Sequence, residues 1–219
     1  NTRRPRVIAE HPAAIVDVAW SADGTKIATV GFERKVRLYD IASGNEIASF
    51  DASCQDMRTV TFSPDDKTIA AGGRTGQVDV WNIHNKTPVA TIQLHSQRIR
   101  DIAITEFNQL ISCGDDRLIR ITDLKDSTNV RSLPKHDGKL FSICLLRDGL
   151  LATGGSDNTI YIWDLNEMKQ VGTLAGHNGT ISSLDFQENI LVSGSYDTRV
   201  RVWTTEKMAE LDELNTFRR

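Results

Sequence analysis

One short phrase recurs five times along the chain: KVRLYD at 35–40, QVDVWN at 77–82, LIRITD at 118–123, TIYIWD at 159–164 and RVRVWT at 199–204. Its aromatic-or-threonine position, Tyr39, Trp81, Thr122, Trp163 and Trp203, advances in steps of 42, 41, 41 and 40 residues. A fixed period of this size marks stacked supersecondary units, each of which buries its apolar face only against its neighbours. A second marker lies upstream at His11, His95, His136 and His177, with Ser53 standing in the second repeat. The repeats run over about 5–40, 47–82, 88–123, 129–164 and 170–204, within a single domain of residues 1–219.

Inside each period the apolar residues alternate, as in Val200 and Val202 or Ile190 and Val192, and glycine-rich breaks such as TGGSDN (153–158) and SGSYDT (193–198) separate the runs. Alternation at period two, with turn residues every eight to twelve positions, predicts strands. SADG (21–24), SPDD (63–66) and RDG (147–149) supply hairpin turns, because Asp, Asn and Gly tolerate the backbone angles such turns need. No apolar stripe at helical spacing appears before residue 203, which excludes the βαβ folds. The expected fold class is all-β, each repeat a unit of four short antiparallel strands.

These residues carry a family resemblance. AGHNGTISSLDF followed by VSGSYDTRVRVW, and KHDGKLFSICLL followed by ATGGSDNTIYIWD, are similar to WD repeats (WD40) in letters and in spacing, and the likeness extends over about residues 5–214. It implies a β-propeller of four-stranded blades, five repeats of which are visible, as a stretch of a ring of about seven. The weaker repeats depart from the pattern where Ser53 replaces His, where Glu33 and Thr75 take the acidic tight-turn position, and where Thr122 replaces Trp. The resemblance further implies that His136, Ser142, Asp157 and Trp163, and likewise His177, Ser183, Asp197 and Trp203, form buried hydrogen-bonded chains within single blades. Asp17 and Asp101 take the place of that strand serine in repeats one and three, where a carboxylate could accept an imidazole N–H.

Composition closes off several functions. With 39% hydrophobic and 25% charged residues the chain is globular, and no apolar run is long enough to span a bilayer. A net charge of -3 provides no field to draw it onto nucleic acid or anionic lipid. Cys54, Cys113 and Cys144 are odd in number and lack any C-x-x-C, and NTRRPRVIAE has no apolar core behind its basic residues, so an intracellular location is expected, in the cytoplasm with the nucleus as the alternative.

No catalytic, metal or cofactor site is read from the sequence. A Ser-His-Asp set offered by His177, Ser183 and Asp197 recurs in repeat four, and a network that recurs blade by blade is not a unique active site. The histidines belong to different blades, too far apart to share an ion at about 2.1 Å. Arg37, Arg120 and Arg201 alternate with apolar residues and read as a solvated strand face.

Function is therefore expected on the loops of a rigid scaffold. The resemblance implies that two loop positions per blade point toward the channel mouth on the narrow face. The first set is Phe32, Arg74, Asp115, Ser156 and Tyr196, the second Ala14, Asp56, Arg98, Lys139 and Thr180; from these Phe32, Arg74, Arg98, Asp115, Lys139 and Tyr196 are the candidate partner-binding residues. Aromatic and Arg side chains at exposed loops have the composition of protein-binding hot spots. The expected function is a non-catalytic, protein- or peptide-binding scaffold within a larger assembly; the alternative is a sensor or regulatory propeller of a longer signalling protein or enzyme. At the ends, RPRVIAEH (4–11) reads as an outer strand, and residues 205–219 as either a further outer strand or a short terminal helix. If both ends carry outer strands, further repeats or another chain complete the ring.

Overall fold

The computed structural model describes residues 6–204, and every helix or strand in that span is a β-strand. The first sheet holds β1 (Ile15–Trp20), β2 (Lys26–Gly31), β3 (Lys35–Asp40) and β4 (Glu46–Asp51), the second β5 (Met57–Phe62), β6 (Thr68–Gly73), β7 (Gln77–Asn82) and β8 (Thr87–Gln93). The third holds β9 (Ile99–Ile104), β10 (Gln109–Gly114), β11 (Ile119–Asp123) and β12 (Val130–Ser132), and the fourth β13 (Leu140–Leu145), β14 (Leu150–Gly155), β15 (Thr159–Asp164) and β16 (Lys169–Ala175). The fifth contains β17 (Ile181–Gln187), β18 (Ile190–Ser195) and β19 (Val200–Thr204). Each sheet is an antiparallel meander, and its inner strand (β1, β5, β9, β13 or β17) lies beside the inner strand of the next. Sheets are thus offset by one strand from the sequence repeats, because the outer strand that opens a repeat completes the preceding blade.

The inner hairpins close on side chains chosen for their turns. Ser21 and Ser63 donate to Asp23 and Asp65 at 2.6 and 2.7 Å, and Gly24, Asp66, Asn108 and Asp148 take the left-handed corner with positive φ. At the opposite end of the blade, a Cβ on Gly31 or Gly155 would lie 2.0 Å from the carbonyl oxygen of Ala14 or Lys139, so the close approach of these two strands needs glycine there.

One apolar interface repeats between blades. Val36 and Leu38 of β3 pack with Met57, Val60 and Phe62 of β5; Val78 and Val80 with Ile99, Ile102 and Ile104; Ile119 and Ile121 with Leu140 and Ile143; Ile160 and Ile162 with Ile181 and Leu184. The two ends of the series expose the two halves of this interface. Val200 and Val202 are 73% and 64% exposed, whereas Val36, Val78, Ile119 and Ile160 at the register of Val200 are wholly buried. Ile15, Val18 and Trp20 are exposed where Met57, Val60 and Phe62 are buried. The described blades form an arc, each end presenting the surface that elsewhere receives a neighbour.

Of the two expectations about the ends, the structure bears on the first. Residues 6–11 are not in a strand; Arg6 instead donates to the carbonyl oxygens of Ile41 and Ala42 beside the β3–β4 turn, at 3.3 and 3.1 Å. The strand or helix expected over 205–219 lies outside the described residues.

Candidate functional site

Each blade is fastened by side chains that reach from the loop before its inner strand to its second and third strands. In the fifth, His177 Nδ1 bonds Asp197 Oδ2 at 2.8 Å, its Nε2 bonds Ser193 Oγ at 2.8 Å, and Trp203 Nε1 donates to the same oxygen at 2.9 Å. A neutral ring that gives its Nδ1–H to the carboxylate takes the Ser193 hydroxyl hydrogen on Nε2. Burial would push Asp197 up, but the N–H groups of Asn178 and Arg199 and the His177 ring bring it down to about 2. In the fourth blade Thr153 Oγ1 joins His136 at 3.3 Å and Trp163 at 3.0 Å, while His136 and Asp157 are 3.8 Å apart. In the third, His95 bonds Asp116 at 2.8 Å and Ser112 at 2.9 Å, and the chain stops there because Thr122 turns its hydroxyl to the Asn129 carbonyl. Burial lowers the His95 pKa more than Asp116 raises it, which favours the neutral ring.

The hydroxyl in this chain is not the predicted one. Ser193, Thr153, Ser112 and Thr29 each lie ten residues before the aromatic marker, a period that would have identified them in the sequence. Ser183 and Ser142 lie on inner strands just past register shifts in the pairing, and such a bulge re-aims a side chain. Ser142 faces its neighbouring blades, donating to Asp101 at 3.1 Å and accepting from Leu184 N at 3.1 Å, and Ser183 is exposed. Asp17 and Asp101 likewise bond no imidazole: they accept Val60 N and Ile143 N of the following blade, each at 2.9 Å. These side chains lock blade to blade. Ser193 and Ser112 are fully buried, so the Asp-His-Ser geometry offers a substrate no approach.

The weaker repeats are fastened by substitutes. Glu33 bonds His11 in place of Asp, with Thr29 and Tyr39 on the other ring nitrogen at 3.3 and 3.1 Å. In the second blade, where Ser53 replaces His, buried Asp79 accepts Ser53 N at 2.6 Å and the Thr91 hydroxyl at 2.7 Å.

Built on these fastenings, the two loop sets converge. The backbone N–H of Phe32, Arg74, Asp115, Ser156 and Tyr196 donates to the carbonyl of Ala14, Asp56, Arg98, Lys139 and Thr180 respectively, at 2.9–3.2 Å, the same bond in all five blades. The side chains then divide. Arg58 lies over the Phe32 ring at 4.9 Å and donates to Asp56 at 3.2 Å, and Arg98 stands 3.8 Å from the same carboxylate. Arg100 grips Asp115 through two bonds of 2.7 and 3.2 Å and stacks on Phe141 at 4.8 Å. Arg74, Lys139 and Tyr196 are exposed, with no side-chain partner among the described residues. Arg58, Arg100 and Phe141 were missed by the sequence reading; they recur at steps of 42 and 41 as the second residue of successive inner strands. Among the described residues no three metal-ligating side chains converge, and no helix is long and apolar enough to cross a membrane.

The family model for the WD domain, G-beta repeat, matches residues 86–123, 127–164 and 168–204, just over half of the chain. The chain belongs to the WD-repeat family. A second model, for eukaryotic translation initiation factor eIF2A, matches residues 2–103. Among curated relatives, a WD repeat-containing protein SL1-17 of Schistosoma mansoni is 29% identical over 116 residues, 52% of this chain and 38% of the relative. Pre-mRNA-processing factor 19 of Dictyostelium discoideum is 27% identical over 52% of this chain and 23% of its own length. The poly(A)+ RNA export protein of Schizosaccharomyces pombe is 28% identical over 41% and 26%. The matched stretches therefore cover well under half of these relatives. The WD-repeat match begins at residue 86, where the His-Asp pairs become regular, and leaves β1 to β7, with the substitutes Glu33 and Asp79, to the other model.

Proposed function

We propose that the chain is a non-catalytic WD-repeat scaffold that binds protein or peptide through the narrow-face rim. The observation that carries the reading is the division of that rim: Phe32, Asp56, Arg98 and Asp115 are held by one another or by Arg58 and Arg100, while Arg74, Lys139 and Tyr196 project unpartnered from fastened loops. A fixed platform carrying free aromatic and cationic side chains meets a partner at little ordering cost. Names of relatives in pre-mRNA processing and poly(A)+ RNA export support a partner within an RNA-related assembly, in nucleus or cytoplasm.

Further blades, from the same protein or another chain, complete the arc by covering Val200 and Val202 at one end and Val18 and Trp20 at the other. This favours the alternative of a regulatory propeller in a longer protein to the extent that those blades belong to the same chain. Affinity capture compared quantitatively between the wild type and the Arg74→Glu, Tyr196→Ala variant tests the rim. Proteins lost from the variant at unchanged melting temperature support it, and an identical captured set refutes it.

A further inference from the structure

Phe107 breaks the repeat at a position where two other blades place a residue that holds its own turn. In the first two inner hairpins that position is Asp23 or Asp65, each accepting its turn's serine hydroxyl. The turn Thr105–Asn108 keeps the bond from Asn108 N to Thr105 O at 3.0 Å and the positive φ of Asn108, yet carries Phe107 in the Asp position, 79% exposed. A phenylalanine there adds nothing to the turn and leaves its ring in water. This turn lies at the end of the strands opposite the narrow-face rim.

The ring borders a depression of about 480 Å³ between three blades, walled by Pro64, Ile104, Leu145 and Leu146. Through Pro64 and Glu106 it continues into a second depression of about 300 Å³ that adds Asp65 and Asn108. Charge on the rim is unbalanced. Lys67 pairs with Asp65 at 3.1 Å, whereas the Glu106 and Asp148 carboxylates have no partner among the described residues and face only Arg147 as a lining cation. An exposed aromatic amid aliphatic walls and free carboxylates is complementary to an apolar side chain flanked by a cation.

We infer that this groove docks a protein segment which inserts one apolar side chain against Phe107 and sets a Lys or Arg on Glu106 and Asp148. The site shares with the reading above only the premise that the chain binds protein; it lies on the opposite face and stands or falls separately. Panning a random decapeptide display library on the 219-residue chain, then titrating the enriched peptides by fluorescence polarisation, tests it. Enriched peptides carry an apolar residue beside Lys or Arg, lose at least tenfold in affinity with Phe107→Ala and several-fold with Glu106→Gln, weaken with salt, and are indifferent to Tyr196→Ala. Phe107→Ala leaves the melting temperature unchanged, because the ring is exposed. No enrichment, an acidic consensus, or full affinity for Phe107→Ala overturns the proposal. So does binding lost only with Tyr196→Ala, which leaves the narrow-face reading intact, and so does a solution mass above the monomer that falls in Phe107→Ala, which gives the groove to a second copy.

Discussion

Thr153→Val separates the observed blade fastening from the one predicted from the strand serines. Valine keeps the shape and β-branching of threonine, so no cavity forms and the strand preference is retained. Lost are the acceptor for Trp163 Nε1 at 3.0 Å and the partner of His136 Nε2 at 3.3 Å, both inside a blade where Thr153 is fully buried. A buried donor left unsatisfied costs about 1–3 kcal/mol, and the imidazole nitrogen adds a smaller amount, giving about 2–4 kcal/mol. Ser183→Ala is the control: its side chain is exposed and makes no bond among the described residues, so the change stays within about 0.5 kcal/mol. Urea unfolding followed by tryptophan fluorescence reads both variants, with the slope checked for constancy. Equal losses in the two variants, or a loss below about 0.5 kcal/mol in Thr153→Val, would rule out Thr153 as the fastening hydroxyl.

Trp163→Ala removes a buried ring as well as its bond and lowers stability by about 3–5 kcal/mol in the same assay. Asp101 makes stability fall as pH rises: burial pushes its carboxyl up to about 7 despite the bonds from Ile143 N and Ser142, and the Asp17 charge adds to the rise. The fold thus holds a proton that the unfolded chain has released above the ordinary carboxylate range, so between about pH 4 and 7 the wild type loses about 1–4 kcal/mol relative to Asp101→Asn; urea midpoints across that range check it. Val202→Asp, on the open end of the arc, changes the melting temperature little, whereas Ile121→Asp at the same register buries an unpaired charge and unfolds the chain or nearly so, as circular dichroism would show.

The His and Asp members of the fastening were legible because His177 and Asp197, like His95 and Asp116, recur at the repeat period. Its hydroxyl member was misplaced because these repeats each offer two hydroxyls, Ser183 and Ser193 in the fifth and Ser142 and Thr153 in the fourth, and the bulges past Ile181 and Leu140 re-aim the first of each pair. The rim positions came from the family resemblance, and one backbone bond joins each pair in the five described blades. Which of them remain available was not, because Arg58 and Arg100 belong to strands that read as ordinary alternation.

Local pattern alone set the period and the strand content, but not where a blade begins, since the sheets are offset by one strand from the repeats. Alternation and turn chemistry are local, and five copies of one pattern admit one way of stacking. Tertiary structure decided whatever depends on a neighbour. Val200 and Val36 occupy the same place in the pattern, yet one is exposed and the other buried, because burial on a blade is set by whether another blade lies against it. Phe107 follows the same rule in reverse. In sequence it is one departure in a turn, and only the blades on either side, contributing Pro64 and Leu145, turn it into the lip of a groove.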